Sequence, residues 1–280
     1  MKIEVIEHIQ TKNEDLMKFI LEGVSIELAN AFRRIILTEV PSMAISEVLF
    51  VENDSVLFDE MIAHRLALIP LTTDLKNYNL PDECSCGGQG CTLCQVQLEC
   101  DVRTKNNEVI VYSGDLKSMD EKIRPVSDTI IIGKLGKKSS IVFEAYAQLG
   151  IGMDHAKFQP VCSVGYKYFP DVKIDNSKLT EADIDEVIKH DHTKIFTKVD
   201  GKLALVDKYW NDPDFTGSGE KYAPAGAIKV DYVPNKFIFT IEATGALPIK
   251  EILSKAIEIF LEKLDEFEDQ LKKVVITQKV

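Results

Sequence analysis

The chain is short of four things: long apolar runs, tryptophan, positive charge, and cysteine outside one segment. The first and third of these each remove a class of protein. No stretch reaches the roughly eighteen consecutive apolar residues a membrane-spanning helix needs, so no membrane role is expected. The start, "MKIEVIEHIQ", lacks the basic and apolar regions of a secretory leader, which makes a cytoplasmic location the expectation. With 33 Lys and Arg against 45 Asp and Glu, the net charge is -12. Such a surface repels polyphosphate as a whole, so no direct DNA contact is expected. No internal repeat or low-complexity tract is visible, and the 280 residues are 45% hydrophobic and 28% charged. That is a globular chain long enough for two domains, or for one domain interrupted by insertions.

What is present begins with alternating runs. Ile3 to Gln10 and Leu16 to Glu22 flank the polar "TKNED", which predicts a hairpin. A helix follows: Ser25 suits its N-cap, and Leu28, Phe32, Ile35 and Ile36 recur at helical spacing until Pro41. Arg33 and Arg34 stand side by side in this apolar helix and call for acidic or backbone partners unless they snorkel to solvent. From Ala44 to about Val172, "EVLFVEN", "QVQLECDVRT", "VIVYSGDL", "TIIIGKL" and "SSIVFEAYAQLG" read as strands of a mostly antiparallel sheet. One helical exception, "FDEMIAHRLALIPL", sets Ile62, Leu66 and Ile69 on one face, with Glu60, His64 and Arg65 elsewhere.

Between Asp171 and Glu220 the chain turns polar. Thr180 and Asp183 form a capping-box pair for a helix, and "KIFTKVDGKLALVD" places Asp200-Gly201 between two alternating runs, a hairpin signal. "WNDPDFTGSGEKY" reads as a loop. The last segment is a strand, "FIFTIEATG", then Pro248 and a helix whose apolar residues fall at Leu253, Ile257, Phe260, Leu264, Phe267, Leu271 and Val274. Steps of four and three make a heptad seam, which must be covered by its own domain or by a partner helix.

The densest chemistry is "CSCGGQGCTLC". Cys84, Cys86, Cys91 and Cys94 give C-x-C-x4-C-x2-C, and Gly87, Gly88 and Gly90 permit the left-handed turns that wrapping one ion requires. A structural zinc with four thiolates is the reading favoured, with no ligand position left open for catalysis. Two others stand beside it. Cys86, Cys91 and Cys94 match a plant-type iron-sulfur spacing that would need Cys100 or Cys162 as fourth ligand, which would make this an electron-transfer protein. Cys91 and Cys94 alone are a redox C-x-x-C, though they lead into a strand rather than open a helix.

Taken together, "SIELANAFRRIILTEVPSMAISEVLF", "VLFDEMIAHRLALIPL", the cysteine loop and "NKFIFTIEATGALPIKEIL" resemble, in order, the alpha-type subunits of DNA-directed RNA polymerases. This is the family of the archaeal D subunits, the third-largest eukaryotic RNA polymerase II subunit and the bacterial alpha N-terminal domain. The resemblance implies an α+β fold: a split dimerisation domain of antiparallel strands and two packed helices, residues 1–44 and 230–280. A mostly β domain with the zinc loop is inserted at 45–170. It also implies a non-catalytic scaffold within a nucleotidyltransferase complex, pairing with a small subunit L through Phe32, Ile36, Leu253, Ile257, Phe260, Leu264, Phe267 and Leu271. Asn30, Arg33 and Arg34 would face the large catalytic subunits, and Asp59, Glu60, His64 and Arg65 the small zinc-binding subunit N, with subunit P nearby.

The resemblance further implies a ferredoxin-like insert at 171–229. Ala223-Pro224 stands where ferredoxins carry Cys-Pro, so the insert is expected to keep its fold and hold no iron-sulfur cluster. His190 and His192 raise a replacement metal site with Asp183 or Glu186, against the commoner reading of a solvated turn. Cys100 and Cys162 read as core fillers.

Overall fold

The structure is a computed structural model that describes residues 1–11, 14–211 and 221–277. Its elements run β1 (Lys2–Gln10), β2 (Asp15–Glu22), α1 (Ile26–Thr38), β3 (Ser42–Asn53), α2 (Asp59–Ala67), β4 (Gln95–Arg103), β5 (Val109–Tyr112), β6 (Lys117–Ser118), β7 (Ile131–Leu135) and β8 (Ser140–Gly150). They continue with β9 (Val161–Ile174), α3 (Glu181–His190), β10 (Phe196–Val199), β11 (Lys202–Leu205), β12 (Ile228–Ala243) and α4 (Ile249–Thr277). The fold is α+β and, among the described residues, has two four-stranded sheets in the orders β1-β2-β12-β9 and β3-β8-β4-β6, and two-stranded pairs β10-β11 and β5-β7.

Two compact units divide the chain. The larger comprises Val5–Phe19, Ile26–Gly165 and Phe239–Val280; the smaller comprises Met1–Glu4, Ile20–Ser25 and Tyr166–Ile238.

In the larger unit, alternation along β8 sends Ile141, Phe143, Ala145, Ala147 and Leu149 inward, each 3% exposed or less. They meet Val96, Leu98 and Cys100 of β4 and Met43 and Ile45 of β3, and the core is closed by Ile62, Leu66 and Ile69 from α2 and the turn after it. The apolar side of α2 read from the sequence is therefore its buried side. Cys100 fills this core as expected, whereas Cys162, on β9, is exposed. α1 packs on α4, and Lys263 Nζ bonds Glu39 at 2.8 Å beside that contact.

In the smaller unit, Thr180 and Asp183 form the expected capping box at the start of α3. Val199 and Lys202 close the β10-β11 hairpin, with Asp200 at φ 50° and Gly201 at φ 75°. Both turn residues are left-handed, the geometry that matches a hairpin's twist. Ile184, Val187, Ile195, Phe196, Leu203 and Ile228 make a separate small core. Most of the loop "WNDPDFTGSGEKY" lies at 212–220, outside the described residues.

Candidate functional site

The cysteine loop forms one compact group. The four Sγ atoms of Cys84, Cys86, Cys91 and Cys94 all lie within 4.8 Å of one another. Four of the separations are 3.5 Å (Cys84–Cys91), 3.5 Å (Cys84–Cys86), 3.6 Å (Cys86–Cys94) and 3.9 Å (Cys91–Cys94). Thiolates ~2.3 Å from a tetrahedral zinc are about 3.8 Å apart, so these four separations are close to those a zinc site takes. Gly87, Gly88 and Gly90 take φ of 64°, 78° and 83°, the left-handed turns the wrap requires. The Cys91 carbonyl accepts from the Cys94 and Gln95 amides at 3.0 and 2.9 Å, a tight turn that brings two thiols to the same point.

The environments of the thiols differ. A backbone N–H of Cys91 draws the Cys86 thiol down to about 6, while burial pushes the Cys94 thiol up to about 12. A cation among them would hold all four as thiolates and cross-link the loop; Cys84, Cys86, Cys91 and Cys94 would be its ligands. With the set complete inside eleven residues, no ligand is needed from Cys100, which is 1% exposed in the core, nor from Cys162, whose Sγ points to the Ala243 carbonyl at 3.8 Å. The fourth ligand that the iron-sulfur spacing sought in Cys100 or Cys162 is instead supplied by Cys84 within the loop.

No second metal group forms among the described residues. His190 Nδ1 lies 3.0 Å from the Glu186 carbonyl and its ring stacks on Tyr222 at 4.4 Å. Asp183 is occupied by the Thr180 hydroxyl, and buried Asp191 accepts from the Thr193 and Phe196 amides. "HDHT" is thus a hydrogen-bonded turn that ends α3.

The helices place the remaining residues as follows. On α1, Ala29, Ile35 and Ile36 are buried, and Phe32 is half-buried. Arg33 is half-buried and its Nε donates to Asn30 Oδ1 at 3.2 Å, while Arg34 is exposed; among the described residues neither forms an ion pair with a carboxylate. On α4, Ile249, Ile252 and Ala256 have no exposed surface; Leu253 and Phe260 are half-buried. Ile257, Leu264, Phe267 and Leu271 are 50%, 48%, 61% and 48% exposed, and Leu261, which the heptad reading missed, is 54% exposed. The side chain of Val274 lies outside the described residues. Ile36 therefore belongs to the chain's own core, and most of the seam on α4 faces outward.

On α2, Asp59, Glu60, His64 and Arg65 are exposed. Asp59 Oδ1 accepts from Asn53 Nδ2 at 2.7 Å, and Arg65 Nη2 donates to the Ile131 carbonyl at 2.7 Å. Around these charges the structure shows apolar side chains the sequence reading passed over: Val56, Phe58, Met61 and Leu68, between 51% and 91% exposed. The signal was there, since Phe58 and Met61 fall off the helix face that Ile62 and Leu66 define.

A DNA-directed RNA polymerase subunit Rpo3 of Pyrococcus furiosus is 42% identical over 264 residues, covering 94% of this chain and 95% of that protein. The subunits of the same name from Methanosphaera stadtmanae and Archaeoglobus fulgidus are 38% and 36% identical, covering 92% and 98% of this chain and 95% and 98% of their own lengths. Residues 18–264 match the family described as the RNA polymerase Rpb3/Rpb11 dimerisation domain, and the chain belongs to that family.

Proposed function

We propose that this chain is a non-catalytic scaffold subunit of a DNA-directed RNA polymerase, built to pair with an L-type (Rpb11-like) subunit. The observation that carries the reading is the outward apolar row Ile257, Leu261, Leu264, Phe267 and Leu271 on a helix whose other side already packs on α1. A chain of net charge -12 gains nothing by leaving five large apolar side chains in water, and a family named for dimerisation supplies the cover. Phe32, Leu253 and Phe260, half-buried at the base of the row, complete the contact, with Ile36 supporting it from beneath.

The same reading assigns the exposed Arg34, with Arg33 and Asn30, to the large catalytic subunits. It assigns Asp59, Glu60, His64 and Arg65 to an N-type small zinc subunit with P nearby. Split dimerisation segments at 1–44 and 230–280 then flank the β domain and a ferredoxin-like insert at 171–229 that carries no cluster. Zinc in the Cys84 to Cys94 loop is structural, nucleotidyl transfer belongs to the large subunits, and the setting is cytoplasmic and away from DNA. Among the described residues no helix is long and apolar enough to cross a membrane.

Co-expression with the L-type subunit tests the pairing. Native mass spectrometry should give a 1:1 heterodimer, and Leu264→Asp with Phe267→Asp should abolish it while leaving the far-ultraviolet spectrum of this chain unchanged. A heterodimer that survives both changes would remove α4 from the interface.

A further inference from the structure

One feature has no part in the surfaces assigned above: a cleft of about 380 Å3 on the outer face of the β3-β8-β4 sheet. It is lined by Gln95, Gln97 and Tyr146 of the sheet, with Thr92 of the cysteine loop and with Met119 and Asp120. Gln97 and Tyr146 are register partners, so they point to the same side. In the next row Glu99 of β4 and Glu144 of β8 stand directly opposite each other, and on β3 Glu47 stands opposite Tyr146. Leu49, opposite Glu144, is 58% exposed, so this part of the sheet is uncovered.

Like charges in direct register cost a sheet stability. The chain does little to offset it: Tyr146 Oη donates to Glu144 at 2.7 Å and Gln97 Nε2 to Glu99 at 3.3 Å. Arg103 is taken up by Asp101 and Glu52 further along the strand. Lys117 faces Glu99 across β6 but forms no ion pair with it among the described residues. A bare metal ion does not suit the face, because the carboxylates do not converge as the thiols do. Phosphate is repelled. What the face fits is a cation spread along a chain.

We propose that this face docks an extended basic segment of another protein and seats one arginine or lysine side chain in the cleft. There the cation lies against the Tyr146 ring and the Met119 thioether, Glu99 and Glu144 take its charge, and the Gln95 and Gln97 amides meet the segment's backbone. The proposal does not depend on pairing through α4.

Fluorescence anisotropy with the full-length chain tests it, using a labelled peptide that alternates arginine with serine and a control that alternates glutamate with serine. The arginine peptide should bind, and Glu99→Gln with Glu144→Gln should weaken it roughly three- to tenfold at low salt. Met119→Ala should weaken it without any change of charge. Glu262→Gln with Glu266→Gln, an equal loss of charge on the exposed side of α4, should leave binding unchanged. Equal weakening by both charge pairs would reduce the effect to net charge and overturn the proposal, as would binding indifferent to the sheet pair. A photo-crosslinker at Gln97 in the assembled complex supplies the second measurement. A crosslinked peptide that mass spectrometry reads as Lys- or Arg-bearing supports the proposal, and nucleic acid or an acidic segment in its place overturns it.

Discussion

Asp15 Oδ2 accepts the backbone N–H of Ile249 at 3.0 Å, across 234 positions of sequence. Pro248, immediately before, has no N–H to offer, and its carbonyl takes the first helical bonds from Glu251 and Ile252. A carboxylate from β2 therefore caps α4, where the helix dipole favours negative charge, and His8 Nε2 holds the other oxygen at 3.0 Å. The capped residue has no exposed surface, so the aim of a helix that runs to Thr277 is set by the hairpin at the other end of the chain.

Removing this cap gives the first prediction. Asp15→Ala should destabilise the chain by about 1–2 kcal/mol in urea unfolding, because a buried N–H loses its acceptor. Asp15→Asn keeps an acceptor and loses only the charge, so it should cost less. Equal losses for the two would show that the dipole, not the hydrogen bond, carries the effect.

The two sides of α4 should separate in their effects. Ile252→Ala opens a cavity in a site with no exposed surface and should cost roughly 2–5 kcal/mol of the chain's own stability. Phe267→Ala, 61% exposed, should leave unfolding of the chain alone within about 0.5 kcal/mol and weaken association with the L-type subunit. Unfolding curves of the single chain and titrations of the pair read the two quantities independently.

That separation also marks what could be read from residues alone. The row from Leu253 to Leu271 was visible as a heptad, but periodicity reports where apolar residues fall and not which of them the chain covers itself. Ile249, Ile252 and Ala256 form the covered side, and one of them is an alanine, which carries little weight in an apolar pattern. The cysteine loop, the Thr180 capping box and the Asp200-Gly201 turn were legible because each is settled within about a dozen residues. Asp15 was not, since nothing local ties a carboxylate on β2 to a helix 234 positions away. The cleft over Tyr146 was hidden for a related reason: its lining from the sheet is set by register between β4 and β8, which no single strand contains.

A pH-dependent element lies in the turn after α2. Asn77 Nδ2 donates to Asp74 at 2.6 Å, and with the Lys76 and Asn77 amides and Lys122 Nζ it draws the Asp74 carboxyl from 3.8 down to about 2. A carboxyl whose folded value is depressed stabilises the fold above its unfolded value, and loses that contribution as pH falls through the folded one. The turn should therefore hold at neutral pH and loosen between about pH 4 and pH 2. Carboxyl-detected NMR titration should place Asp74 near the lower value, and Asn77→Ala should move it back toward 3.8. No movement would mean that the backbone amides alone hold it.

Metal removal is the remaining test, and it asks what the loop does for the fold. Elemental analysis should give about one zinc per chain, lost on Cys84→Ser or Cys94→Ser and on treatment with a strong chelator. The loop has no core of its own: Cys84 and Cys94 are 5% and 2% exposed, while Cys86 and Cys91 are half-buried and the glycines between them contribute no side chain. Four thiols held near one another without a cation have little else to keep them there, so amides 84–95 should lose protection from hydrogen exchange. The β4-β8 pairing runs from Gln95↔Gln148 to Arg103↔Ser140 over a core of Val96, Leu98, Phe143 and Ala145, and it should keep its protection. Pairing through α4 should survive as well, because the outward row on α4 lies far from the cysteine loop in sequence and belongs to a separate element. Exchange that spreads through β4 and β8 on chelation would instead make the ion part of the sheet domain's stability, and the loop more than a local staple.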